Sequence, residues 1–135
     1  MVTTPVLNQK FQLGISYKYY SFFFLGKRVR LGGGSRSNEG YVEALASNGQ
    51  WGGVCDDYWD RDDANVVCQM LGYPSAEAWW RGPHNFGNNP SGDKFVLDNL
   101  KCAGSELSIF DCSHQPEWNE NCWSVEIVGV RCALG

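Results

Sequence analysis

Apolar and polar residues alternate along two short segments of the chain, 29–31 and 40–45, as they do in half-buried β-strands. Further strands are predicted at 50–55, 95–100 and 127–132, with a shorter candidate around Ala78. Asn48-Gly49 lies between the second and third segments and predicts a hairpin whose two turn residues both have positive φ. We therefore expect a β-sheet built from short strands.

A different period appears at 61–71, where apolar residues recur on one helical face. That face consists of Ala64, Val67, Cys68 and Leu71. Asp60 precedes it as a candidate N-cap, and Gly72 follows as a stop signal. The adjacent acids Asp62 and Asp63 are interpreted as helix-start residues, since negative charge is favourable at a helix N-terminus. The pattern predicts one main α-helix.

Two stretches are less regular. Residues 73–95 are rich in Pro, Gly and Asn and are expected to be mostly loop. A second, shorter helix is predicted over 105–111, where Ser105 can act as the cap and Leu107 and Phe110 would face inward.

The six cysteines all lie between positions 55 and 132, and neighbouring ones are at least ten positions apart. Zinc sites are usually built from close pairs such as Cys-x-x-Cys, which are absent here. An even number of cysteines in a small Gly-rich and Trp-rich domain instead indicates disulfides formed in an oxidising compartment. Their spacing alone leaves many pairings open.

Charge divides the chain unevenly. Residues 1–27 carry +3, whereas residues 28–135 carry −7, within a total of −4. An acidic domain repels phosphate backbones, which argues against nucleic-acid binding through a basic face.

No apolar run approaches the ~20 residues of a membrane span. We interpret 1–27 as an N-terminal extension, either a leader or an upstream segment, because its short apolar stretch lacks a small-residue cleavage signal. Residues 28–135 are expected to form one domain.

Several motifs in 28–135 resemble, in order, the scavenger receptor cysteine-rich (SRCR) domain. They are Val29-Arg30-Leu31 with its Gly-rich turn, Glu39-Gly40-Tyr41-Val42-Glu43, Asn48 to Asp57 (NGQWGGVCDD), Val66 to Gly72 (VVCQMLG) and Gly129-Val130-Arg131-Cys132. The two further cysteines of the eight-cysteine subgroup are absent, near Ser37 and at Tyr73. The chain is therefore similar to the six-cysteine group A.

The resemblance implies an α+β fold in which a curved antiparallel sheet cradles one main helix. It also implies the pairs Cys55–Cys122, Cys68–Cys132 and Cys102–Cys112. In the chain-entropy model such cross-links restrict the unfolded chain by about 3–4 kcal/mol each. These free-energy contributions are large compared with the ~5–15 kcal/mol net stability of a typical domain.

Candidate chemistry centres on adjacent carboxylates. Asp56 and Asp57 follow Cys55, and the resemblance implies that Glu126 joins them in a calcium site, although Ile127 replaces the acid that usually follows. It also implies a second site from Asp98 and Asn121. The alternative from the residues themselves is that Asp56 and Asp57 cap local amides or pair with Arg61 or Arg131.

No catalytic set is recognisable, because oxidised cysteines leave no thiolate and no nucleophile, phosphate-loop or zinc-protease motif occurs. The chain is therefore not expected to be an enzyme. The resemblance implies a secreted or cell-surface ligand-binding module, as in innate immunity, that uses calcium to bind anionic proteins, glycans or microbial ligands. The alternative is a metal-independent protein-binding domain of a larger secreted protease or oxidase. Its candidate contact residues are Trp79, Trp80, Trp118 and Trp123, although paired tryptophans more often close a core edge.

Overall fold

The computed structural model describes residues 28–135, so the expected N-terminal extension over 1–27 lies outside the described residues. The elements, in chain order, are β1 (Val29–Gly32), β2 (Glu39–Leu45), β3 (Trp51–Val54), α1 (Arg61–Met70), β4 (Ala76–Arg81), β5 (Phe95–Leu97), two 3-10 turns (Ile109–Asp111 and Ser124–Glu126) and β6 (Val128–Cys132). No helix in this part of the chain has the length and apolarity to cross a membrane.

The strands form one sheet in the order β4-β6-β2-β3-β5, and β1 adds to β2. All neighbouring pairs are antiparallel except β3 and β5, which run parallel. The expected fold of a curled sheet around one helix is confirmed, with the correction that the sheet is mixed. The parallel pair matters for the site because it brings the carboxyl ends of two strands to the same edge.

The hairpin between β2 and β3 is confirmed, but its turn differs from the predicted two-residue type. Gly49 has φ +85°, whereas Asn48 is not in the left-handed region. The Gly49 N–H donates to the Ala46 carbonyl at 3.0 Å, and the Ala46 N–H donates to Gln50 at 2.9 Å. This is the longer connection in which one left-handed glycine completes a four-residue turn.

Helix α1 begins where the sequence predicts. The Asp60 side chain accepts hydrogen bonds from the N–H groups of Asp62 and Asp63, and the Asp63 carboxylate accepts from the Asp60 N–H. This reciprocal capping box satisfies amides that have no partner within the helix. Ala64, Val67 and Cys68 are fully buried, as their spacing predicts.

The prediction of a shorter helix over 105–111 is wrong in two respects. Only the 3-10 turn Ile109–Asp111 forms, and its cap is Ser108 rather than Ser105. Because the turn starts later, Ile109 is the buried residue and Leu107 is 72% exposed.

All six cysteines form disulfides, in the pairs Cys55–Cys122, Cys68–Cys132 and Cys102–Cys112. The pairing implied by the resemblance is therefore confirmed. The Cys68–Cys132 disulfide ties helix α1 to strand β6 in the main core. Cys55–Cys122 lies in a smaller apolar cluster, together with Tyr41, Phe86, Phe95 and Ile127. This second cluster underlies the candidate site.

Candidate acidic ligand-binding site

The strand pairing explains why distant acids meet. Cys55 forms an antiparallel bridge with Ile127. In an antiparallel pair, the residue after one partner lies opposite the residue before the other, so Asp56 comes next to Glu126. The Cys55–Cys122 disulfide holds the same two segments together. The juxtaposition is thus built into the backbone.

Asp56, Asp57 and Glu126 form a compact group of half-buried carboxylates. Each offers an oxygen within 4.8 Å of the other two. Partial burial, followed by the negative charges of Glu126 and Asp57, raises the pKa of Asp56 above its ordinary value. The group is therefore electrostatically unfavourable without a cation, which gives it the character of a cation site.

Asp98 reaches the same region from the parallel strand. The Cys55 N–H donates to the Leu97 carbonyl at 2.9 Å, so the residues that follow β3 and β5 lie side by side. Asp98 is 4% exposed, and burial together with the neighbouring Asp57 carboxylate raises its pKa. The backbone N–H of Asn121, an exposed residue, lies near the Asp98 carboxylate and offsets part of this rise in pKa. The structure thus places Asp98 and Asn121 in contact with each other, and places Asp98 beside Asp57.

The alternative role for Asp56 and Asp57, pairing with arginine, finds no support in the described residues. Arg131 forms ion pairs with Glu39 and Glu77 instead. The guanidinium of Arg61 lies over the Trp79 ring, 4.5 Å from its centre. Within residues 28–135, neither Asp56 nor Asp57 forms an ion pair, although the positive charge of Arg81 acts on Asp56.

The spacing of the carboxylates fits calcium. Two oxygens bound to one Ca²⁺ ion at about 2.4 Å from it can lie at most about 4.8 Å apart, and the three acids satisfy this limit. Calcium also accepts irregular sets of oxygen ligands completed by water. Asp56, Asp57 and Glu126 would hold the ion, and Asp98 would add charge beside them.

The four candidate tryptophans do not share one packing environment. Trp79 and Trp118 pack against the main core, whereas Trp80 packs against the smaller cluster and stacks on His84 with ring centres 3.7 Å apart. Trp118 lies over strand β3, where a Cβ at Gly52 would come within 3.2 Å of its ring. Trp123 differs from them, since it is 77% exposed.

Sequence reasoning missed one feature of this site. Tyr58, directly after the adjacent acids, has φ +66° and is 61% exposed. Positive φ is uncommon for a residue with a bulky side chain. The run Asp56-Asp57-Tyr58 carries no turn glycine that would have indicated this conformation.

The sequence model of the scavenger receptor cysteine-rich domain matches residues 32–133 of this chain. The chain belongs to the SRCR family. Among curated proteins, the macrophage receptor MARCO of Mus musculus is 42% identical over 107 residues. A scavenger receptor cysteine-rich domain superfamily protein of Patiria pectinifera is 42% identical over 104 residues. These alignments cover 79% and 77% of the chain, but only 19% and 9% of the relatives, so the SRCR domain spans a small part of each.

Solved structures agree with the SRCR assignment. The dimeric form of the SRCR domain of mouse MARCO is 39% identical, with a TM-score of 0.62, and the match covers 81% of this chain and 98% of that one. The third SRCR domain of murine neurotrypsin is 38% identical, with a TM-score of 0.66, and the match covers 77% and 94%. The chain is thus a scavenger-receptor-type domain, a class associated with extracellular ligand binding.

Proposed function

We propose that this SRCR domain is an extracellular ligand-binding module that holds calcium between Asp56, Asp57 and Glu126. The convergence of these carboxylates carries the proposal. Asp56 and Glu126 are seventy positions apart in sequence, yet backbone pairing brings them together, and no ion pair neutralises them within residues 28–135. Asp98, which lies beside Asp57, would form a second, adjoining site with Asn121.

The bound ion would supply a positive charge on an otherwise acidic domain. Residues 28–135 carry −7, so phosphate, sulfate and carboxylate groups are repelled at long range. A divalent cation inverts the local field and offers coordination positions to anionic oxygens. The ligands of the site are therefore anionic proteins, glycans or microbial surfaces. Three disulfides support a secreted protein, or the extracellular part of a membrane protein, as the setting.

Binding to an immobilised anionic polymer such as dextran sulfate tests this function. The oxidised domain is expected to bind in calcium and to be released by a chelator. Asp57→Asn removes one charge while keeping a similar shape, and should weaken binding at least tenfold. Asp93→Asn is the matched control, since Asp93 is exposed and lies outside the carboxylate groups. Binding that persists in the chelator, or an equal loss in both variants, would contradict the proposal.

One observation favours a second function, the metal-independent protein contact. Trp123 is 77% exposed, and large exposed aromatics are enriched at protein interfaces. If a protein partner docks there, in a larger secreted protease or oxidase for example, Trp123→Ala should weaken its binding with or without calcium. The chelator thus separates the two functions.

A further inference from the structure

A cavity separate from the carboxylates lies between the loop that follows β4 and the 3-10 turn Ser124–Glu126. Its volume is about 310 Å³, which is at the lower end for small-molecule sites. We call it the loop cavity. Its lining residues are Tyr41, Pro83, Gly87, Asn88, Asn89, Gly92, Ser124, Val125 and Ile127.

Hydrogen bonds anchor both ends of the loop that borders the loop cavity. At one end, the Tyr41 hydroxyl accepts from the His84 N–H at 3.0 Å and lies 3.1 Å from the carbonyls of His84 and Gly87. At the other end, the Asn89 side-chain amide donates at 2.8 Å to the carbonyls of both Gly92 and Ser124. One end of the loop is thus tied to β2 and the other to the 3-10 turn, so these bonds fix the position of the loop relative to both elements. A preformed site reduces the ordering cost of binding.

The chemistry of the lining is uncharged. None of the nine lining residues is acidic, basic or a histidine. A charged ligand would lose hydration there without a charged partner, which is unfavourable. Pro83 and Val125, both exposed, contribute apolar surface. Within the described residues, the Asn88 side-chain amide and the Ser124 hydroxyl have no hydrogen-bond partner, so both are available to a ligand.

We propose that the loop cavity binds a neutral saccharide unit. A hexose presents apolar C–H faces and a rim of hydroxyl groups, which match the apolar residues and the available amide and hydroxyl of the cavity. This site is distinct from the proposed calcium site, since Glu126 is at the end of the same turn but is not a lining residue. The SRCR domain would therefore carry two recognition sites, one for anionic groups and one for a neutral sugar.

Chemical-shift titration of the isotope-labelled oxidised chain tests the proposal. The probes are the methyl glycosides of glucose, galactose, mannose and N-acetylglucosamine, with glucuronic acid and glucosamine as charged comparators. At least one neutral glycoside should shift the amides of Gly87, Asn88 and Gly92 saturably, at concentrations up to tens of millimolar. The shifts should remain in a chelator, because no lining residue is a proposed metal ligand.

A variant that narrows the cavity locates the binding. Asn88→Trp places a large side chain at an exposed lining position and should weaken binding at least tenfold. Asn119→Trp is the control, since Asn119 is also exposed but does not line the cavity. Unchanged backbone spectra outside the loop show that each variant is folded, and Ser124→Ala, which removes only one hydroxyl, gives a second test with little effect on folding. The proposal is overturned if no neutral glycoside binds, if a charged comparator binds as well, or if Asn88→Trp behaves like its control.

Discussion

The Tyr41 hydroxyl should contribute measurably to stability, because it hydrogen-bonds β2 to the loop after β4 at both His84 and Gly87. Tyr41 is 1% exposed, and its ring meets Phe86 edge-on with centres 5.3 Å apart. Tyr41→Phe keeps this packing and removes only the hydroxyl. The His84 N–H then loses its acceptor.

The magnitude follows from the bonds that are lost. A hydrogen bond contributes about 1 kcal/mol net, and a buried donor left without a partner costs about 1–3 kcal/mol. His84 is only half-buried, so water can reach its amide in part. We expect Tyr41→Phe to lower the free energy of unfolding by about 2 kcal/mol.

Urea denaturation of the oxidised protein measures this loss. With a slope of roughly 2 kcal/mol per molar urea, the midpoint should fall by about 1 M while the slope is unchanged. Tyr58→Phe is the control, because Tyr58 is 61% exposed, and it should change stability by less than about 0.5 kcal/mol. Equal midpoints for the two variants would refute the role assigned to the hydroxyl. Hydrogen exchange at the His84 amide should also accelerate only in Tyr41→Phe.

Three further predictions concern stability. Asp60→Ala removes the cap of α1 and should cost about 1 kcal/mol in urea denaturation; no loss would show that water replaces the cap. Burial, opposed by N–H donors from Cys102 and Asp60, raises the pKa of Asp63 to about 7. The folded state holds this proton more tightly than the unfolded chain does. The contribution of Asp63 to the free energy of unfolding should therefore fall as pH rises from about 4 to 7, by at most about 1.4 kcal/mol per pH unit. A stability-pH profile that is the same in Asp63→Asn would contradict this. Replacing Cys102 and Cys112 together by serine should lower the free energy of unfolding by about 3 kcal/mol. If thermal stability changes no more than in an exposed serine-to-alanine control, this disulfide does not stabilise the fold.

Local sequence patterns predicted the elements that are specified by residues close together in the chain. The 3.6-residue period and Asp60 located α1, and Asn48-Gly49 located the hairpin, although a single left-handed glycine replaced the expected pair. The short helix failed because two serines, Ser105 and Ser108, are equally good caps in sequence. Only packing of Ile109 into the core selects the second.

Long-range features had no local signal. The disulfide pairing came only from the family resemblance, since the spacing of the cysteines is compatible with many pairings. The parallel pairing of β3 with β5 joins Gly53 to Phe95, and nothing in either strand indicates the direction of the other. The proximity of Asp98 to Asp57 follows from this parallel pairing, so the sequence alone did not predict it; only the family resemblance singled out Asp98.

Calorimetric titration of the oxidised chain with calcium tests the proposed metal site most directly. Asp57→Asn and the control Asp93→Asn are titrated in parallel. We expect saturable binding to the unmodified chain and to Asp93→Asn, and at least tenfold weaker binding to Asp57→Asn. Extracellular calcium sites bind as weakly as about 10⁻³ M, so the titration extends to several times that concentration. No binding in this range, or equal binding to all three proteins, would contradict calcium as the ion held by Asp56, Asp57 and Glu126.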